Sequence, residues 1–201
     1  MGNQQRRNLM IGAFTLPALV LGVNFFHDQS GLASQGGKPM NVTRITVEHV
    51  RVQADKPFDK VSKAFEQQLG QFNPEVSKWL AAGEDAEKVR AKIEAMAGPS
   101  GFMLFTTSDH GELLRLAGQK KKAIQYVVGN PLIAMQMTQH DIRAGLYAPL
   151  RVLLYENEHG MTCVEYDQPS SLFGQFGNAK VTDVASMLDR KMEQLVAKAI
   201  Q

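Results

Sequence analysis

A chain of 201 residues with 44% apolar and 21% charged residues suits one globular domain with extra segments at its edges. Its 22 basic and 20 acidic side chains leave a net charge of +2 and are spread along the chain, so no basic face announces nucleic-acid binding. A single cysteine, Cys163, excludes an internal disulfide and reads as a small core residue of a strand. The densest basic cluster, Lys120 to Lys122, has no interleaved aromatic ring and reads as a solvated turn before a strand.

Residues 1–28 read as a leader. Arg6 and Arg7 precede Asn8 to Phe26, nineteen residues without a charge, which gives a basic segment followed by an apolar one. Arg-Arg-Asn-Leu-Met is similar to a twin-arginine export signal, although Gln5 stands just before the pair. The apolar stretch is also just long enough to span a bilayer, with the arginines on the cytoplasmic side. A cleaved signal and a membrane anchor at residues 8–26 both place the rest of the chain outside the cytoplasm, in the periplasm or beyond. Residues 29–40, rich in Ser, Gly, Gln and Pro, form a flexible tether.

The domain is expected over residues 41–201. Alternation from Asn41 to Gln53 predicts a strand, with Val50 and Val52 on one face and His49 and Arg51 on the other. Pro57 opens a helix whose Phe58, Val61, Phe65, Leu69 and Phe72 repeat at three- and four-residue steps. Residues 73–101 are a second compositional unit, two helices with Gly83 between them and Trp79 as anchor to the domain or mark of a partner surface. A strand at Phe102 to Thr106 leads into a short helix capped by Ser108 or Asp109 and stopped by Gly118.

Strand Ala123 to Val128 then meets Gly129-Asn130-Pro131, where Asn130 fits the N-cap and Pro131 the first helical position. Leu150 to Tyr155 and Met161 to Tyr166 are predicted to pair as a hairpin across a glycine-containing loop. Leu172, Phe173 and Phe176 form an apolar turn, and a last helix from about Thr182 to Ile200 repeats Val184, Leu188, Met192, Leu195 and Ala199.

Gly129-Asn130-Pro131, the run from Leu146 to Glu156 and the run from His159 to Pro169, in that order, resemble the bacterial family known as domain of unknown function 302. The resemblance covers about Ile45 to Ile200 outside residues 73–101, which look like a helical insertion because family members pass almost directly from the first helix to the next strand. It implies an α+β fold, an antiparallel sheet packed against helices in a helix-grip arrangement similar to TATA-binding-protein-like folds, often dimeric. It carries no activity, and the fold analogy implies no DNA binding.

No metalloprotease, thioredoxin, hydrolase, phosphate-loop or dinucleotide fingerprint is present, so catalysis has no sequence support beyond an unactivated Cys163. The expectation is an exported, non-catalytic envelope domain that binds a small ligand or a partner protein in a cleft between sheet and helix. Tyr126, Tyr147, Tyr155 and Tyr166 with Asn130 are its expected lining, since tyrosine brings an apolar body and a polar tip. The alternative is a soft-metal or haem protein in which Met135, His140 and Cys163 supply sulfur and nitrogen donors suited to Cu(I). Met135 and Met137, two apart on a helix, would point away from each other, and as core residues they need no metal.

Overall fold

The computed structural model describes residues 40–201, of which Arg44–Gln201 form one compact unit. The leader with Arg6 and Arg7, and the tether up to Pro39, lie outside the described residues. Among the described residues no helix is long and apolar enough to cross a membrane.

The strands β1 (His49–Ala54), β2 (Gly70–Gln71), β3 (Met103–Asp109), β4 (Ala123–Gly129), β5 (Leu150–Glu156) and β6 (Thr162–Asp167) form one sheet in the order β1-β6-β5-β4-β3-β2. Every pairing from β1 to β3 is antiparallel, as expected, and the two-residue β2 adds a parallel edge beside β3. The first strand is shorter than its alternation predicts. Its partner β6 offers only Thr162 to Asp167 before Pro169 starts a helix, so pairing runs from His49↔Asp167 to Ala54↔Thr162 and stops.

The helices are α1 (Phe58–Glu66), α2 (Val76–Ala81), α3 (Ala86–Glu94), α4 (His110–Leu114), α5 (Pro131–Thr138), α6 (Pro169–Phe173) and α7 (Ala179–Ile200). Their starts follow cap chemistry. Asp109 Oδ1 accepts from Glu112 N at 2.8 Å and Asn130 Oδ1 from Leu132 N at 2.9 Å. The last helix begins three residues before the expected Thr182, because Asn178 Oδ1 accepts from Lys180 N at 3.1 Å and Val181 N at 3.4 Å. Pro57 sits at the cap of α1 rather than inside it, and α1 ends at Glu66, so Leu69 and Phe72 belong to the chain beyond the helix.

The main core lies on one face of the sheet. Phe58, Val61 and Phe65 of α1 and Leu188, Met192 and Leu195 of α7 close over Tyr126, Val152, Leu154 and Val164. Burying each side chain of this size contributes about 1.5–3 kcal/mol. A second, smaller core joins Val76, Val89 and Ile93 of the α2–α3 unit to Met103, with Phe72, Trp79, Phe105 and Leu132 packed against it. Trp79 is thus fixed to its own domain, and the Lys92 ammonium lies 4.3 Å from its ring centre.

The two ends of the α2–α3 unit cross at Gly70 and Gly98. Both amides donate to Phe102 O at 3.0 Å, and a Cβ on Gly98 would come within 2.3 Å of Gly70 N. Backbone meets backbone here, and only glycine fits.

Candidate functional site

Strand alternation separates the tyrosines predicted to share a cleft. Tyr126 and Tyr166 point into the main core. Tyr126 is fully buried, with its hydroxyl 2.9 Å from both Ser62 Oγ and Glu66 Oε1, and that burial pushes its ionisation well above the ordinary tyrosine range. Burial likewise pushes Tyr166 up to about 12. Tyr155 lies on the opposite sheet face, where its hydroxyl donates to Glu165 Oε1 at 2.6 Å. Tyr147 follows a 3-10 turn and packs against Phe173 and Phe176 at ring-centre distances of 6.1 and 6.0 Å. The expected four-tyrosine lining does not form around Asn130.

Asn130 does line a cavity. At the end of β4, Gly129 and Asn130 turn into α5, beside a partly open space of about 230 Å³ lined by Phe72, Phe102, Phe105, Ile133, Ala134, Met137, Leu150, Phe173 and Leu188, among others. Gly129 keeps it open, since a Cβ would meet Pro149 Cβ at 3.2 Å and Phe105 Cε2 at 3.4 Å. Phe72 stacks on Phe105 with centres 4.2 Å apart. Among the described residues the only polar side chain in the wall is Asn130, whose Nδ2 donates to Gly101 O at 2.9 Å while its Oδ1 caps α5. The second amide hydrogen of Asn130 has no protein partner among the described residues. No titratable side chain among the described residues lines the space, so its chemistry is that of shape and apolar contact.

The strand-end motif located this cavity, but its wall was not legible as a wall. Phe72, Phe102, Phe105 and Phe173 read as ordinary core residues, because a pattern of apolar positions does not reveal which of them leave space unfilled. Four phenylalanines against one amide are the signal available in the sequence.

The metal-donor set does not converge. Met135 is exposed and Met137 buried, on opposite sides of α5. His140 follows α5, where its carbonyl accepts from Asn178 at the start of α7, on the helix-covered side. Cys163 is directly opposite Tyr155 on the other sheet face, fully buried, with Arg51 and Asn157 nitrogens 3.6 and 3.7 Å from its sulfur. The sheet therefore stands between Cys163 and the other two. Among the described residues no group of three or more His, Cys, Asp or Glu could hold a metal ion.

The uncovered sheet face carries a polar network across β1, β6 and β5. His49 Nδ1 lies 2.8 Å from Asp167 Oδ1 and its Nε2 3.2 Å from Glu165 Oε2, while Arg51 Nε lies 3.2 Å from Glu165 Oε1. Hydrogen bonding to Asp167, then to Glu165, raises the His49 pKa above 6.5. Burial alone would push Glu165 up, but the Tyr155 hydroxyl, His49 and Arg51 together hold it below 4.5. The cation on His49 stabilises the fold below pH 6.5 and is lost as pH rises through its raised pKa; the Glu165 anion stabilises above pH 4.5 and is lost as pH falls through its depressed one. Urea midpoints should therefore peak between those values and fall toward pH 8. His49→Gln should remove about 0.2–1 kcal/mol of that slope, a small amount because the pair is exposed to solvent. An unchanged slope in the variant would mean that the network contributes nothing.

Comparison with known proteins agrees with this architecture. The domain of unknown function DUF302 matches residues 80–199, a stretch that begins within the α2–α3 unit and takes in α3. The crystal structure of an uncharacterized conserved DUF302 protein from Bacillus stearothermophilus is similar at a TM-score of 0.54 and 14% identity, over 75% of this chain and 97% of that one. A comparison with curated proteins finds no match. With its six-stranded sheet packed against helices and a family match over more than half its length, the chain belongs to the DUF302 family.

Proposed function

We propose that this chain is a non-catalytic domain that takes up a small apolar ligand in the cavity beside Asn130. The observation that carries the reading is the cavity itself. A partly open apolar concavity of about 230 Å³, walled by four phenylalanines with one amide at its side, has the make-up of a small-ligand site. An apolar void of about 150 Å³ is enough to hold benzene. On this reading the α2–α3 unit buttresses the site, since its apolar residues pack with Phe72 and Phe105, which are part of the wall.

Titration with toluene tests the reading. The methyl carbon resonances of Met137 and Leu188 should shift and saturate while those of Met161, on the other sheet face, stay in place. Toluene that moves none of them would overturn it.

We also propose that the domain works outside the cytoplasm, delivered by the leader that contains Arg6 and Arg7. A reporter fused after Gln201 should be active only beyond the inner membrane. Arg6→Lys with Arg7→Lys should impair delivery if the twin-arginine route is used, and full delivery of that variant would exclude the route.

A further inference from the structure

The link between β3 and β4 forms a projection on which exposed leucines and lysines stand side by side. Leu113 of α4 and Leu116 of the 3-10 turn that follows it (Arg115–Ala117) are 61% and 90% exposed and, three positions apart, share one side of the turn. Gly118, with a φ of +71°, then reverses the chain into Lys120, Lys121 and Lys122, all exposed. Gly111 holds the two halves together: its bare Cα packs on the returning chain, where a Cβ would overlap Lys121 O and meet Ala123 N at 3.0 Å. Leucines and lysines therefore belong to one fixed surface.

Charge sets this projection apart from the other exposed apolar residues. From Asp109 to Lys122 four cationic side chains stand against two carboxylates. Asp109 caps α4, Glu112 lies 3.2 Å from Arg115, and Lys122 is drawn back to Asp59 and Glu156, each at 3.3 Å. Within this segment the charge left beside Leu116 is that of Lys120 and Lys121. Past the other end of β4, Ile142 and Leu146 are 78% and 75% exposed, but there Arg143 is closed on Asp141 at 2.6 Å and no lysine lies nearby in the sequence. Leucines at a tip with lysines behind them suit a bilayer surface, where apolar side chains enter the acyl boundary and ammonium groups stay among the headgroups. Lysine is depleted from surfaces that bind proteins, so the same charge argues against a protein partner.

We propose that the α4 projection is a membrane-contact surface, on which Leu113 and Leu116 enter a bilayer and Lys120 and Lys121 hold its anionic headgroups. Two leucines bury less apolar area than one acyl chain, so the contact is weak and reversible. It is independent of the cavity beside Asn130, which lies at the opposite end of β4.

A polarity-sensitive nitrobenzoxadiazole label tests this in the full chain, attached at Ala117→Cys or, as control, at Ile142→Cys. Cys163, the single cysteine, is buried and takes no label. With phosphatidylcholine vesicles containing about one third phosphatidylglycerol, the label at position 117 should brighten and be quenched by nitroxide lipids, while the label at 142 stays in water. Both labels ride on the same chain, so attachment through any other segment moves them alike. Lys120→Ala with Lys121→Ala should shift the equilibrium between immersed and free tip about 25-fold, about fivefold for each lysine at a charged leaflet. Leu113→Ser with Leu116→Ser should abolish the response. A label at 117 as water-exposed as the one at 142 would overturn the proposal. So would a response that survives both lysine changes, or a brightening without vesicles that grows with protein concentration, which would assign the leucines to a second copy.

Discussion

Phe173→Ala should lower the free energy of unfolding by about 3–5 kcal/mol, the range for truncating a buried phenylalanine. Phe173 is fully buried at the end of α6, edge-on to Tyr147 at 6.1 Å, and belongs to both the main core and the cavity wall. Its removal differs from an ordinary core truncation because the new void opens into space that already exists. The variant should therefore bind toluene more tightly than the parent protein. Ligand at about a hundred times its dissociation constant should return about 2.7 kcal/mol, since binding to the folded state alone stabilises by mass action. Urea unfolding with and without toluene measures both effects. A loss under about 1 kcal/mol, or a toluene response no larger than the parent's, would mean that the space collapses and that Phe173 does not separate core from cavity.

Gly70→Ala should cost about 3 kcal/mol, at the upper end of what forced overpacking does. Its Cβ would sit 1.7 Å from Met96 O and 2.7 Å from Gly98 N, both of them backbone atoms that no rotamer change can move aside. The crossing would have to separate, and with it the pair of 3.0 Å hydrogen bonds from Gly70 and Gly98 to Phe102 O. Because Phe102 is in the cavity wall, toluene binding should weaken together with stability. Gly145→Ala is the matching control: its Cβ would meet only Thr138 Cγ2 at 3.9 Å, so stability should stay within about 0.5 kcal/mol. Equal effects at the two glycines would show that the crossing is looser than its geometry.

Residue patterns made most of the sheet readable. Alternation in Leu150 to Tyr155 and Met161 to Tyr166 placed the central hairpin within a residue of its observed ends, and Asn130-Pro131 placed the start of α5. The first strand was overextended because alternation continues through Ile45 and Val47 with nothing left on β6 to pair with them. The last helix was started late because Asn178, a strong cap, follows a glycine and carries no apolar mark of its own.

The site was legible only at one point. Asn130 is a local feature, a cap between a strand and a helix, and local features survive in a single sequence. The tyrosines were chosen for what their side chains can do, while the sheet distributes them by parity, with Tyr126 and Tyr166 inward and Tyr155 outward.

The most direct measurement is diffraction from crystals of the domain pressurised with xenon, which enters apolar cavities and scatters strongly. A single strong xenon peak should appear between Phe105, Ile133 and Phe173, with the surrounding side chains unmoved. A space already closed by rotated phenylalanines, with no xenon in it, would contradict the account.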